Sequence, residues 1–394
     1  MRPASPAQVY FPSFNGIRFI AASAVVFHHI EQFKSIFGFT DAFDRTNEYP
    51  QIYQAGRLGV ALFFVLSGFL ITYLLLAEKQ YAGRIATGNF YVRRILRIWP
   101  LYFLIIGLSF FVFPHIPALY VPGWSEHTYD YFWPKLGFFL LVMPNIAITL
   151  YHEMPFSSHT WSIGVEEQFY LIWPWLIGSV RPRRTLLILG SIALILAGAF
   201  FWIRFGPGSI QPTAGTTQLL LSDFLAHFRI GAMAIGGIGA YLIFIEHPVL
   251  TFLYKKWVQV VVYAILVYLL ATGYRIPGLN YEGYALFFVF LLMNLARNPN
   301  SIINLENRFC TFMGKISYGV YMYHPVVIVL CLYVIRQFIP YSTGFSVMLY
   351  VSSYALTTLV AWLSYEYFEK QFLKLKDRFA PGDKPVKVAN PERV

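Results

Sequence analysis

Long runs without a charged side chain place the strongest constraint on how this chain can fold. Five such runs reach or approach the ~20 residues that a helix needs to cross about 30 Å of hydrocarbon. They are 58–77, 185–203, 257–274, 316–335 and 341–364. In lipid, each backbone amide must find its hydrogen-bond partner within its own segment, so these runs are predicted to be helices. Only 12% of the 394 residues are charged, about half the share of a soluble domain. The sequence therefore predicts an all-α polytopic membrane protein.

Ten segments are predicted to cross the membrane: 14–33, 58–77, 98–114, 166–180, 185–204, 228–245, 257–274, 281–296, 316–335 and 343–364. Basic residues are concentrated between them, as expected of cytoplasmic loops, at 79–97, 181–184, 255–256, 297–315 and 370–378. Loops 115–130 and 205–216 contain no Lys or Arg and are expected outside. This distribution accounts for the net charge of +11, and nucleic-acid binding is not expected.

The segment 132–150 decides the parity of the topology. If it crossed the membrane, the basic cluster 181–184 would lie outside, against the positive-inside rule. It also contains residues that suit a lipid-facing helix poorly, namely Pro134, Lys135, Pro144 and Asn145. We therefore expect a re-entrant or interfacial segment, which leaves ten spans and both termini in the cytoplasm. A full eleventh span is the alternative.

The domain organisation is expected to be simple, with a membrane domain at 1–370 and a basic cytoplasmic tail at 371–394. Arg18 interrupts the first apolar stretch, and no small-residue cleavage site follows. This stretch is therefore predicted to be a permanent helix rather than a signal peptide. Two cysteines, Cys310 and Cys331, indicate neither a disulfide framework nor a metal site.

Ionisable residues within the first predicted span are functional candidates, because such groups are costly in lipid. Arg18 and His29 are eleven residues apart, which places them within about 20° of one helix face and ~16 Å apart along the axis. A guanidinium near the cytoplasmic end with an imidazole three turns deeper suits an extended, anionic cofactor. His28 points about 100° away. Alternatively, Arg18 extends to the interface and the histidines bond to neighbours.

A second candidate cluster contains Arg94 and Arg97. Residues three apart are neighbours on a helix surface, and two guanidinium groups near the cytoplasmic boundary would bind phosphate well. The alternative is an ordinary basic anchor that flanks a transmembrane helix.

Glu166 and Glu167 form a third candidate site, at the start of an apolar helix. The helix dipole favours carboxylates there, which is a purely structural explanation. The functional alternative is that Glu166 orients a histidine or raises its basicity.

Two further features are weaker candidates. Ser67 and Gly68 are interpreted as a close helix-packing site, with a nucleophilic Ser67 as the alternative. His324, followed by Pro325, is interpreted as a hydrogen-bonded residue at a kink, with a role in the site as the alternative.

Taken together and in this order, these segments resemble the acyltransferase-3 family of integral membrane acyltransferases. The resemblance covers residues 14–370. It is carried by Asn15-Gly16-Ile17-Arg18 with ten residues before His29, the stretch 63–70, Arg94-x-x-Arg97 leading to Pro100, Trp161-Ser162 through Glu166 to Tyr170, Ser317-Tyr318-Gly319-Val320-Tyr321 with His324, and Ser364-Tyr365 with Glu369. The Arg-Pro that usually follows the last glutamate is missing from this chain.

The resemblance implies O-acylation, usually acetylation, of a cell-envelope glycan or a similar carbohydrate or lipid-linked acceptor. The donor would be a cytoplasmic acyl-CoA such as acetyl-CoA, and the setting the bilayer of a bacterial inner membrane. The family motifs fall on Arg18, His29, Arg94, Arg97 and Glu166. We expect no metal.

The mechanism that we derive from this resemblance is a hypothesis. Arg94 and Arg97 bind the phosphates of acyl-CoA, and Arg18 helps to place it. His29 acts as the general base or accepts the acyl group, and Glu166 raises its basicity.

Many relatives carry an additional periplasmic SGNH-type domain. This chain is similar to the stand-alone members, so its acceptor is expected to be acylated by the membrane domain or by a separate periplasmic partner. A transporter or flippase for a glycan precursor is the main alternative function, and a non-catalytic scaffold is the third.

Overall fold

The computed structural model describes residues 9–39, 51–180, 182–205, 224, 228–276 and 280–379. These residues form helices and no β-strand. The helices of the first half are α1 (Phe14–Ile36), α2 (Gln51–Ala82), α3 (Thr87–Phe111), α4 (Phe132–Leu140), α5 (Pro144–Leu150), α6 (Trp161–Ser179) and α7 (Pro182–Phe205). Those of the second half are α8 (Ile230–Phe244), α9 (Val249–Leu253), α10 (Lys256–Thr272), α11 (Asn280–Arg297), α12 (Arg308–Ile335), α13 (Thr343–Ser364) and α14 (Lys370–Lys376). A π-helical turn at Tyr365–Glu369 joins α13 to α14.

Each of the ten predicted segments overlaps one of these helices, which confirms the all-α fold. Length and composition allow four of the described helices to cross a membrane: Gln54–Ala82, Thr87–His115, Arg308–Ile335 and Thr343–Lys376. The predicted number of ten is not established on this basis. Two of the other helices are short: α8 has 15 residues and α10 has 17. Another helix, α1, carries several ionisable residues.

The segment 132–150 forms two short helices, α4 and α5. At 1.5 Å per residue, the nine residues of α4 extend about 14 Å, too little to cross the hydrocarbon core. Its polar residues are bonded within the protein. Lys135 Nζ donates to the backbone oxygen of His127 at 2.8 Å, and Gln168 of α6 donates to Asn145 Oδ1 at 2.9 Å. This arrangement agrees with the predicted re-entrant or interfacial segment.

Close contacts at glycines show how α1 and α2 are aligned. A Cβ atom on Gly56 would lie 2.2 Å from Cβ of His28, and one on Gly59 would lie 2.7 Å from the carbonyl oxygen of Ala21. The partner in α1 moves toward its N-terminus as α2 advances, so the two helices are antiparallel. Continuing this alignment places Ser67 of α2 near the level of Arg18.

In contrast, α6 runs parallel to α2. Ser67 donates to Glu166, and further along both helices Trp173 Nε1 donates to Thr72 Oγ1 at 2.8 Å. These two bonds show that Glu166 and Trp173 lie on the face of α6 that meets α2.

The predicted close packing at Ser67 and Gly68 is confirmed. A Cβ on Gly68 would lie 1.9 Å from the carbonyl oxygen of Met233 in α8, and one on Gly236 would lie 2.1 Å from that of Val65. Only hydrogen fits between these two backbones. Small residues of this kind let helices approach closely where burial of apolar surface provides little driving force.

The predicted boundary between a domain at 1–370 and a tail at 371–394 stays a prediction. The described start of the tail, α14, packs against α3, and Arg93 donates to the backbone oxygen of Phe379 at 2.7 Å. Residues 380–394, and the part of the predicted external loop at 206–216, lie outside the described residues.

A candidate active site between the central helices

A partly open cavity of about 300 Å³ is lined by residues of α1, α2, α3, α6, α12 and α14. Its polar lining comes from segments spread along the sequence from Arg18 to Lys376. The polar residues are Arg18, Ser67, Arg94, Arg97, Ser162, Glu166, Tyr170, Ser317, Tyr318, Tyr321 and Lys376. The motifs singled out in the sequence therefore meet at one place.

The cavity is strongly cationic. Its described lining contains four basic side chains, Arg18, Arg94, Arg97 and Lys376, and one carboxylate, that of Glu166. Lys376 belongs to the basic cluster 370–378, which is predicted to lie at the cytoplasmic face. Such a balance of charge favours an anionic ligand.

Arg94 and Arg97 both reach this cavity. The guanidinium of Arg94 lies 5.6 Å from the ring centre of Phe90 and 5.7 Å from that of Tyr170. Its buried Nε has no hydrogen-bond partner among the described residues. Arg97, one turn further along α3, exposes its side chain into the cavity. The predicted pair of neighbouring guanidinium groups is thus present and open to a ligand.

The adjacent Arg93 has a different environment. Its Nη2 lies 3.3 Å from a carboxylate oxygen of Glu78, and its Nη1 donates to the backbone oxygen of Phe379. Arg93 therefore ties α3 to α2 and to the C-terminal part of the chain, away from the cavity.

Glu166 lies inside the cationic cavity rather than beside His29. Its Oε1 accepts hydrogen bonds from Ser67 and Tyr170, and its charge attracts Arg18. No hydrogen bond among the described residues joins Glu166 to His29. The predicted effect of Glu166 on the basicity of His29 therefore does not arise from a direct hydrogen bond between the two side chains. The reason is the alignment of the helices, because Glu166 meets Ser67 at the level of Arg18, ~16 Å along α1 from His29.

His29 instead contacts a histidine of α12. His29 Nδ1 lies 2.9 Å from the backbone oxygen of Val25 and 3.2 Å from Nε2 of His324. His324 is completely buried, and its Nδ1 lies 3.3 Å from the backbone oxygen of Val320. The sequence contained the signal for His324, an imidazole inside an apolar run, but gave no means of pairing it with His29.

A third imidazole, that of His159, completes a histidine cluster (His29, His159 and His324). Its ring centre lies 5.3 Å from that of His324, and its buried Nε2 has no hydrogen-bond partner among the described residues. Tyr321 joins this cluster to the cavity. Its hydroxyl donates to the backbone oxygen of His159 at 2.6 Å and lies 2.7 Å from Ser162 Oγ. His159 was not a candidate from the sequence.

The cavity and the histidine cluster are neighbours and do not form one open space. Arg18 lines the cavity, whereas His29 does not. Tyr321 lines the cavity and also contacts the histidine cluster, because its ring centre lies 5.8 Å from that of His324. Arg18 Nη1 donates to Asn15 Oδ1 at 2.9 Å. Both predicted residues of α1 therefore face other helices, one toward the cavity and one toward α12.

Comparison with known proteins agrees with this convergence of motifs. Residues 11–366 match the family described as acyltransferase domain. The chain belongs to the acyltransferase-3 family. Because family membership and the apolar helices point the same way, the chain is a membrane protein.

Two relatives show the degree of similarity. The O-acetyltransferase OatA of Staphylococcus aureus (strain NCTC 8325 / PS 47) is 25% identical over 387 residues, which cover 93% of this chain and 57% of the relative. The peptidoglycan O-acetyltransferase OatA of Listeria monocytogenes serovar 1/2a is 25% identical over 381 residues, covering 93% and 56%. The chain thus spans little more than half the length of these relatives. No solved structure matches it.

Glu369, the last motif position of the acyltransferase-3 resemblance, lies near the arginines even without the following Arg-Pro. It is buried, accepts from Ser364 Oγ at 3.2 Å and attracts Arg97. It sits on the π-helical turn, a distortion that is frequent at functional sites.

A separate group of potential metal ligands lies in the loops around α4 and α5. Ligand atoms of His127, Asp130 and His152 fall within 4.8 Å of one another. His127 Nδ1 lies 2.7 Å from a carboxylate oxygen of Asp130, and this bond lowers the pKa of the Asp130 carboxyl. The hydrogen bond between His127 and Asp130, together with the stacking of the His127 and His152 rings at 4.1 Å between their centres, accounts for the arrangement.

Proposed function

We propose that this protein is a membrane O-acyltransferase that moves an acyl group, in the first place acetyl, from cytoplasmic acyl-CoA to a hydroxyl of a cell-envelope glycan or glycolipid. The observation that carries the proposal is the meeting of the family motifs around one cationic cavity beside a buried histidine cluster. A transporter needs no such pairing of a phosphate-binding cavity with a positioned imidazole.

The cavity suits the anionic part of the donor. Guanidinium groups bind phosphate through two parallel hydrogen bonds, and Arg94 and Arg97 present two of them side by side. Arg18 of α1 adds a third cation to the same cavity. The volume is at the lower end of the range for small-molecule sites, so it would hold part of an acyl-CoA. No metal enters this account.

His29 has the protonation pattern that acyl transfer needs. A carbonyl oxygen can only accept, so the 2.9 Å contact with Val25 places the proton of neutral His29 on Nδ1. Its Nε2 then keeps a lone pair. That atom can remove the proton of the acceptor hydroxyl, or attack the thioester and form a transient acyl-imidazole.

The directions of the helices support ten spans. Because α2 and α6 are parallel, an odd number of crossing segments should separate them, and α3 alone would provide that number. A crossing by 132–150 would have reversed α6. Together with the basic clusters, this supports cytoplasmic termini. The bacterial sources of the relatives support a bacterial plasma (inner) membrane as the location.

The names of the relatives support the choice of acceptor. Both are called O-acetyltransferases, and one is a peptidoglycan O-acetyltransferase. Since this chain spans just over half their length, the acceptor class is proposed as a cell-envelope glycan and no single polymer is singled out. A separate periplasmic partner that completes the transfer is part of the same proposal.

The decisive experiment uses purified protein in lipid nanodiscs with labelled acetyl-CoA. We expect release of CoA and label on an added envelope glycan fraction, and we expect His29→Ala to abolish both, since a positioned base contributes about 10²–10⁴-fold. The variant must be inserted and folded as the wild type is. Normal turnover by His29→Ala would refute the assigned role, and a wild type that neither binds nor cleaves acetyl-CoA would favour a transporter.

A further inference from the structure

The proposed base His29 has a side-chain hydrogen-bond partner in His324, whose Nε2 lies 3.2 Å from Nδ1 of His29. We propose that His324 is the positioning residue of His29, and that its Nε2 accepts the Nδ1 proton when His29 becomes positively charged. This is the role that the sequence assigned to Glu166. The inference rests on the proposed function, which it deepens by completing the catalytic centre.

Hydrogen-bond directions follow from the two backbone contacts. His324 Nδ1 faces the carbonyl oxygen of Val320 at 3.3 Å, so that nitrogen carries a proton and Nε2 of His324 has the lone pair. This lone pair meets His29 Nδ1 at 3.2 Å. The single Nδ1 proton of His29 is therefore shared between a carbonyl oxygen and an imidazole nitrogen. Of these two acceptors, only the imidazole nitrogen is a base that can take up the proton.

No carboxylate takes this position among the described residues. Glu166 is bonded to Ser67 and Tyr170. Glu31, two residues from His29, has Lys34 Nζ at 2.9 Å and the Tyr350 hydroxyl at 2.7 Å. Because His324 is completely buried, solvent does not replace it as the acceptor.

The chemistry of acyl transfer requires such an acceptor. If Nε2 of His29 attacks the thioester, the N–C bond forms and the C–S bond breaks, with the electron pair leaving on the CoA thiolate. The acyl-imidazolium then passes its Nδ1 proton to His324 and becomes a neutral acyl-imidazole. Attack by the acceptor hydroxyl forms the O–C bond of the ester and breaks the N–C bond, whose electron pair returns to His29, and His29 recovers its Nδ1 proton from His324. The hydroxyl proton ends on the thiolate, which gives CoA.

If His29 acts as the base instead, its Nε2 takes the hydroxyl proton while the hydroxyl oxygen bonds to the acyl carbon and the C–S bond of the thioester breaks. The Nδ1 proton of His29 again faces His324. The cation is then shared between the two rings until the proton passes to the CoA thiolate. His324 has the same function in both routes. It lowers the cost of positive charge on His29 in a buried site.

The test compares two substitutions at one position. His324→Leu removes the acceptor, whereas His324→Gln keeps an amide oxygen that can accept from His29 Nδ1. We expect kcat to fall about 100-fold or more in the Leu variant and about 10-fold in the Gln variant, with KM for acetyl-CoA unchanged in both. His28→Gln is the matched control, a buried histidine of the same helix, and should keep kcat within about twofold. A kcat within about threefold of wild type in His324→Leu would overturn the inference, and so would a greater loss in His324→Gln than in His324→Leu.

A second measurement separates this inference from the proposed function. Diethyl pyrocarbonate acylates neutral imidazoles, and mass spectrometry of peptides gives the rate at His29 without any physiological substrate. We expect that rate to fall about 10-fold in His324→Leu and to be largely retained in His324→Gln. An unchanged rate in the Leu variant would refute the partnership even if acetyl transfer were established. A failure of acetyl transfer in the wild type would refute only the proposed function.

Discussion

Arg97 gives the sharpest test of how the cavity binds the donor. Arg97→Gln removes one guanidinium from the cavity and leaves three of its four basic side chains. Arg93→Gln is the matched control, because it removes the same group four residues earlier on the same helix. The guanidinium of Arg93 is bonded to Glu78 and to the backbone of Phe379 and does not line the cavity.

The expected magnitude follows from one charged contact. A hydrogen bond to a charged group contributes about 1.5–3 kcal/mol, and 1.36 kcal/mol corresponds to a factor of ten. Loss of one guanidinium–phosphate contact should therefore raise KM for acetyl-CoA about 10- to 150-fold. The phosphates lie far from the reacting carbonyl, so the contact is equal in ground and transition states and kcat should change little. The double variant Arg94→Gln with Arg97→Gln should bind still more weakly.

The assay measures the initial rate of CoA release in nanodiscs as the concentration of acetyl-CoA is varied. Calorimetry gives the dissociation constant of CoA. Raised salt should narrow the gap between Arg97→Gln and the wild type, because screening weakens the contact that the variant lacks. A KM within twofold of the wild type for Arg97→Gln would refute phosphate binding at this site. So would an equal rise in KM for Arg93→Gln, since that would show a general loss of structure.

The remaining predictions concern packing and topology. Gly68→Ala should lower the thermal unfolding temperature in detergent, because its Cβ would lie 1.9 Å from the backbone of Met233 and overpacking costs about 1–3 kcal/mol. Gly107→Ala, with no atom within 4 Å of the added Cβ, should leave that temperature unchanged or raise it; equal shifts in the two variants would contradict the close packing. For topology, a membrane-impermeant maleimide applied to intact cells should label Tyr131→Cys and should label Lys256→Cys only after lysis. The reverse pattern would refute the proposed orientation.

Most of the helical architecture was accessible from the sequence, because it depends on local properties. A run of uncharged residues long enough to cross the bilayer must satisfy its own backbone, whatever surrounds it. The break within 132–150 was foreseen for a similar reason, since its prolines and polar residues disfavour a continuous lipid-facing helix. The candidate arginines were found by similar reasoning. Burying a charged side chain in or beside an apolar span costs free energy, so such a residue is a candidate for function.

The pairing of residues from different helices was not accessible in this way. Glu166 and His29 lie on separate helices, and the local pattern was equally compatible with their meeting or not. Only the alignment of α2 with α6 showed that Glu166 bonds to Ser67, 99 residues away, and joins the arginines.

The sequence by itself determined that this chain is helical and membrane-embedded and that it belongs with the acyltransferases, because each of these depends on composition, spacing within one helix or motif order. The tertiary structure alone decided which polar groups share a site. His29 meets His324 across 295 residues because α1 and α12 pack side by side. Contacts of this kind depend on how helices are aligned and rotated against each other, and no periodicity within a single helix encodes that.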